Sequence, residues 1–318
     1  MRARLAVVGL LLAACPVLAQ QYPAKPVRLI VPFAAGGPVD ITARILAQKL
    51  SEAMGQQFVV EIRSGATGMI GAEAVARSAP DGYTVLVSAA ATVLVPHLYS
   101  KMSYDPLRDL APVSVVLSSP LLLTVTPTLP VKSVKEFIAL AKARPNQLSF
   151  GSSGPGSSTH LTGELLKTVT ATKMTHVPYK GQGQAITDVA TGQIQVMFLS
   201  PPPARSWVEA GRLRALAITS EQRFPQFPGV PTFVESGYKD LVTGSWYAVW
   251  LPAKTPEGIV SRLNSEIVKI VGMADVRQRI VDLGGVPVGN SPAAFDAFQR
   301  EESARWGKII RAAGVKLE

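Results

Sequence analysis

Val31-Pro32-Phe33-Ala34-Ala35-Gly36-Gly37-Pro38-Val39-Asp40 joins two different periodicities. Upstream, residues 27–31 form a short run of aliphatic and β-branched side chains, the pattern of a buried strand. Downstream, Ile41, Ile45, Leu46 and Leu50 recur at helical spacing across residues 39–53. A strand that turns on two glycines into a helix is the opening unit of an α/β fold.

Outward from this unit the alternation continues. Residues 58–62 and 84–87 read as strands and residues 70–78 as a helix, which predicts a mainly parallel sheet flanked by helices. Apolar strands at 113–117 and 121–125 follow, separated by Ser118-Ser119-Pro120 with no helix between them. A second α/β unit then runs through helices at 133–143, 157–169, 182–191 and 203–210 and strands at 148–150, 173–177, 195–199 and 213–218. The strand at 246–251 carries the chain back, and residues 256–313 read as three helices broken at Gly272-Met273-Ala274 and across Gly284 to Pro292. These elements predict a discontinuous first lobe, 22–123 with 244–318, and an inserted second lobe, 124–243. Two crossover segments make such a pair a hinge around a cleft.

The N-terminus reads as a secretory signal peptide over residues 1–19: Arg2 and Arg4, an apolar run from Leu5 to Ala14, then small residues at Val17 and Ala19. Cleavage after Ala19 leaves no cysteine, because Cys15 is the only one. The alternative is lipid attachment at Cys15 itself, within Leu12-Ala13-Ala14-Cys15. Either route places the mature protein outside the cytoplasm. The formal charge of +10 suits an anionic small molecule. Lys and Arg are scattered singly among acids, with no basic run or aromatic-studded stripe, which argues against nucleic acid.

Two loops carry the candidate chemistry. Phe33, Ala34, Ala35, Gly36, Gly37 and Pro38 lie between a strand and a helix start. Ser152, Ser153, Gly156, Ser157, Ser158 and Thr159 occupy the equivalent place in the second unit. The first N–H groups of a helix have no intrahelical partner, the helix dipole adds positive partial charge, and glycines admit a ligand close to the backbone. A carboxylate fits both loops. Asp40 is read as serving the loop or helix start, and the Gly-rich stretch 64–71 as close packing on the lobe. His97, His160 and His176 sit in separate segments with no metal spacing, and no G-x-S-x-G elbow or paired acid and base occurs. The expectation is a binding protein with no metal, no cofactor and no enzymatic activity.

At these residues the chain resembles the Bug-type substrate-binding proteins of tripartite tricarboxylate transporters. The resemblance rests on Tyr22-Pro23-Ala24-Lys25-Pro26-Val27-Arg28-Leu29-Ile30-Val31-Pro32-Phe33 with Gly36-Gly37 and Asp40, Ala79-Pro80-Asp81-Gly82-Tyr83-Thr84, Tyr104-Asp105-Pro106, His176-Val177-Pro178-Tyr179-Lys180-Gly181 and Trp306-Gly307-Lys308. It implies a monomeric two-lobed periplasmic-binding-protein fold of type II, a small organic anion as ligand and a membrane permease as partner. A sensor kinase is the alternative partner. It extends the expected site to Ala90 and Thr92 after the third strand, to Tyr179, and to Leu199, which stands where many relatives carry Asp. With Ile62 and Met69 in place of the family's Asn, these departures favour a ligand without a cationic group and with an apolar body, an aromatic or short aliphatic acid.

Overall fold

The structure, a computed structural model, describes residues 22–317. The leader over 1–19, with Cys15 and both cleavage alternatives, lies outside the described residues. The chain begins with β1 (Val27–Val31), α1 (Pro38–Met54), β2 (Phe58–Ile62), α2 (Met69–Ala76), β3 (Thr84–Ala89), α3 (Ala91–Leu98), the single turn α4 (Pro106–Asp109) and β4 (Leu110–Pro120). It continues through β5 (Leu122–Val125), α5 (Val134–Ala143), β6 (Ser149–Ser152), α6 (Ser158–Thr170), β7 (Thr175–Pro178), α7 (Gln182–Thr191), β8 (Val196–Leu199), α8 (Pro201–Glu209) and β9 (Arg214–Ile218). β10 (Gly244–Pro252), α9 (Glu257–Gly272), α10 (Ala274–Asp282), β11 (Val286–Pro287) and α11 (Pro292–Ala312) complete it.

Two sheets result, ordered β11-β4-β10-β3-β1-β2 and β7-β6-β8-β5-β9. β1 pairs parallel with β2 and β3, and β6 parallel with β7 and β8. β5 and β10, which carry the chain from lobe to lobe, run antiparallel to both neighbours. This is the two-lobed type II arrangement. It puts Val31 and Ser152, the last residues of β1 and β6, at strand ends that feed the two candidate loops.

Ser118-Ser119-Pro120 is strand, not the expected break. Ser118 pairs with Trp246, Ser119 with Ser245 and Pro120 with Gly244, so β10 supplies the ladder that local sequence does not. The chain passes to the second sheet at Leu121 and returns between Ile218 and Gly244. Thr219, wholly buried, ties the two passages together. Its N–H donates to the carbonyl of Leu121, and its Oγ1 accepts from the Leu121 N–H at 2.8 Å and donates to the carbonyl of Thr243.

Three apolar clusters hold the molecule. One packs α1, α9 and α10 on one face of the first sheet. Another packs α7 and α8 on the second sheet. The largest is continuous across both lobes and includes Trp246, Trp250 and Trp306. Their indole N–H groups find acceptors on α11: Trp250 donates to Gln299 Oε1 at 3.0 Å, Trp246 and Trp306 to Glu302 Oε2 at 3.2 and 3.1 Å. Buried indoles need such partners, since an unpaired N–H in the core is costly.

Candidate functional site

The first loop is fastened from inside. Gly36 adopts φ +78, open to glycine without strain, and its N–H donates to Asp40 Oδ2 at 2.8 Å. Arg44 Nε lies 2.9 Å from Asp40 Oδ1. Burial raises the Asp40 carboxyl, but the Gly36 N–H and Arg44 outweigh it and hold the pKa below the ordinary value. Asp40 is thus a buried carboxylate that serves the loop. α1 starts at Pro38 with Gly37 as its cap residue, and no side chain caps it. The first-turn N–H groups of Val39 and Asp40 belong to the set a helix leaves without intrahelical partners. Ala34, Ala35, Gly36 and Pro38 are exposed, and Phe33 and Gly37 half-buried.

The stretch 64–71 packs on this loop. A side chain at Gly71 would meet Pro32 Cβ at 2.7 Å and the Arg63 carbonyl at 2.9 Å, and one at Gly68 would meet the Phe33 ring at 3.2 Å. Thr67 Oγ1 lies 3.0 Å from the Tyr99 hydroxyl. The residue before Tyr99, Leu98, sits against Gly156, where a Cβ would come within 3.1 Å of it. Contacts therefore lead from Phe33 through Gly68, Thr67, Tyr99 and Leu98 to the second loop. Thr67 belongs to the Gly-rich stretch expected to pack on the lobe, whereas no motif marks Tyr99.

In the second loop most hydroxyls are already engaged. Ser152 is wholly buried, with its Oγ 2.7 Å from His176 Nε2. Ser157 caps α6, accepting from the His160 N–H at 3.3 Å and donating to the Gly154 carbonyl at 2.6 Å. Thr159 is buried and its Oγ1 accepts from the Ser153 N–H at 2.9 Å, with Ser153 Oγ and Ser157 Oγ each 3.0 Å away. Ser158 is half-buried, and its hydroxyl makes no hydrogen bond among the described residues. Tyr179 lies alongside: its N–H donates to the Ser152 carbonyl at 3.0 Å and its hydroxyl to Asp188 Oδ2 at 2.6 Å. Burial, with Asp188 adding to it, pushes the Tyr179 pKa up to about 12.

Beneath this loop the imidazoles of His160 and His176 stack with centroids 3.8 Å apart, and Phe150 lies 4.9 Å from His176. His160 Nδ1 accepts from the Gly156 N–H at 3.1 Å, which fixes the neutral tautomer with its proton on Nε2. Burial pushes both imidazoles down to about 4, helped by Lys167 at His160 and by the neighbouring His160 at His176.

Three expected site residues lie elsewhere. Leu199 is wholly buried, because β8 alternates: Val196 and Phe198 face one cluster, Met197 and Leu199 the other, with Leu122, Ala204 and Ile218. The polar groups at that strand end are Ser200 and Gln182, each donating to the other at 3.1–3.2 Å. Ser200 is the residue before Pro201, where α8 starts two residues earlier than its spacing predicts. Ala90 packs in the core with its N–H on the Trp246 carbonyl. Thr92 is buried and donates to Ser88 Oγ at 2.7 Å. The stretch taken as a cleft loop is the end of β3 and the first turn of α3.

A family model described as the tripartite tricarboxylate transporter family receptor matches residues 42–315. The chain belongs to this receptor family. BugT of Bordetella pertussis is 39% identical over 320 residues, covering 99% of this chain and 98% of that one. Among solved structures, the receptor is similar to R. palustris Rpa4515 with adipate, at 38% identity and TM-score 0.78, covering 93% of this chain and all of that one. It is also similar to MatC from Rhodopseudomonas palustris with bound malate, at 32% identity and TM-score 0.72, covering 91% and 100%. The tripartite tricarboxylate receptors are periplasmic solute-binding proteins and not enzymes. Among the described residues of this receptor no helix is long and apolar enough to cross a membrane.

Proposed function

We propose that this receptor closes its two lobes on a small organic carboxylate and delivers it to the membrane subunits of a tripartite transporter. One observation carries the reading: α6 is capped by its own Ser157, whereas α1 begins at Gly37 with no side-chain cap. A ligand carboxylate at the α1 start supplies the acceptor that the sequence omits.

The favoured ligand has an apolar body and no cationic group. Leu199 no longer supports this preference. Its support is the surroundings of the first loop, where Phe33 is half-buried and Ile70 is 53% exposed. Adipate, bound by the 38%-identical neighbour, has this character. An ammonium group in a closed cleft needs a carboxylate or several acceptors to offset its lost hydration, and Asp40, the carboxylate nearest the first loop, is already engaged.

Calorimetry with adipate, benzoate, glutamate and citrate tests both levels. Adipate or benzoate is expected to bind more tightly than glutamate or citrate, and Gly36→Val, which forces a side chain into φ +78, is expected to abolish binding in a folded protein. Glutamate or citrate binding at least as tightly removes the apolar preference. No binding by any of the four, or full affinity in the Gly36 variant, removes the site.

A further inference from the structure

At the hinge lies a cavity of about 720 Å³ that neither candidate loop lines. Both crossings contribute to its wall, with Pro120 from one and Thr243 from the other. Ser220 and Phe224 reach it from beyond β9, and Val286 and Phe298 from the first lobe. Its volume is that of a small-molecule site.

The wall carries six ionic side chains of balanced sign, Glu221, Arg223, Arg277, Glu301, Glu302 and Arg305. Three are committed. Arg223 pairs with Glu235 at 3.0 Å and donates to the Pro228 carbonyl. Arg305 donates to the carbonyls of Val242 and Asp240 at 3.0 and 2.8 Å. Glu302 accepts the two indole N–H groups. Arg277 on α10, Glu301 on α11 and Glu221 form no ion pair among the described residues, so one cation and two carboxylates stand unmatched around an apolar floor of Trp246, Phe298 and Pro287.

We infer that this hinge cavity is a second binding site, for a small zwitterion with an apolar side chain of the α-amino-acid or short-peptide class. Arg277 takes the carboxylate, Glu301 or Glu221 takes the ammonium, and the apolar floor takes the side chain. An acceptor pair for an ammonium is what the first loop lacks, so the two sites select different chemistry. Residues of both lobes line the cavity, so its occupant is linked to lobe closure. By reciprocity, it changes the affinity for a cleft ligand by the factor that ligand changes its own.

Calorimetry on the full mature chain uses leucine, phenylalanine and leucylphenylalanine as probes, with N-acetylphenylalanine and phenethylamine as controls that each lack one charge. At least one zwitterion is expected to bind saturably, and both controls more weakly by roughly tenfold or more, the worth of one charged hydrogen bond. Arg277 and Glu301 are exposed, so Arg277→Ala and Glu301→Gln should keep the fold and the affinity for adipate. Arg277→Ala is expected to lose zwitterion affinity by the same factor, and Glu301→Gln with Glu221→Gln likewise. Absence of saturable zwitterion binding, equal binding of N-acetylphenylalanine, or unchanged affinity in Arg277→Ala overturns the site. Zwitterion binding that vanishes in Gly36→Val places the molecule in the cleft and overturns it too. An adipate constant unaltered by saturating zwitterion overturns the linkage. Failure of adipate, benzoate, glutamate and citrate alike removes the cleft reading and leaves the hinge result standing.

Discussion

Ser157 and Ser158 are neighbours in the chain, and their hydroxyls meet different things. Ser157 caps α6 and ties down the Gly154 carbonyl, so Ser157→Ala is expected to lower stability by about 1 kcal/mol, the usual worth of a cap, measurable by urea unfolding. Ser158 carries the uncommitted hydroxyl, so Ser158→Ala should leave the urea midpoint unchanged and weaken ligand binding; the reverse pattern would exchange their roles. His160 makes a pH prediction. In the unfolded chain imidazoles protonate below about pH 6.5, whereas burial holds His160 and His176 down to about 4. The unfolded state therefore binds more protons between these values. Stability from this pair is complete above about pH 6.5 and declines as pH falls towards 4. Protonated Nδ1 cannot accept from Gly156, so in the folded protein the second loop loosens only as pH reaches about 4. Urea midpoints between pH 7 and 4.5 are expected to fall in the wild type and to fall less in His160→Gln. Equal slopes would remove the imidazole from the account. At this scale the sequence is legible where a residue acts on its own stretch of chain, as Gly36 does through its φ and Asp40 through the carboxylate that accepts the Gly36 N–H. It is opaque where the answer depends on which face of a strand a side chain takes, as Leu199 shows.

Among elements, the decisive device is the Thr219 tie between the two crossings. Thr219→Val keeps the shape but leaves the Leu121 N–H and the Thr243 carbonyl each short of a hydrogen bond. A buried unsatisfied polar group costs about 1–3 kcal/mol, and urea unfolding should show a loss of that order; a neutral result would mean that water replaces the hydroxyl. Helices and strands with clean periodicity were readable: α7 is Gln182–Thr191, the span its spacing predicts. α3 was not, because Val93, Leu94, Val95 and Leu98 are all buried and Pro96 sits inside it, so no polar face marks the helical period. β11 has two residues, too few for any alternation, and owes its place to pairing with β4.

For the molecule as a whole, the lobes are joined by two passages and by one apolar cluster that crosses between them. Ligand closure is therefore expected as a rigid-body rotation about the hinge, and X-ray scattering should give a smaller radius of gyration with saturating adipate than without it. An identical scattering curve would argue against closure on that ligand. The alternation of strands and helices made the two lobes legible from the chain alone. The hinge cavity was not, because its wall gathers residues from 118 to 305 that share no pattern in sequence. The indoles held by α11 have an optical consequence. Of the four tryptophans, Trp246, Trp250 and Trp306 are withdrawn from water, and only Trp207 on α8, with the Arg212 guanidinium over its ring, is partly wet. Ultraviolet-excited emission should consequently be short in wavelength. That colour should hold when the lobes rotate, because Trp246 and the Glu302 carboxylate ride together in the first lobe and keep their hydrogen bond.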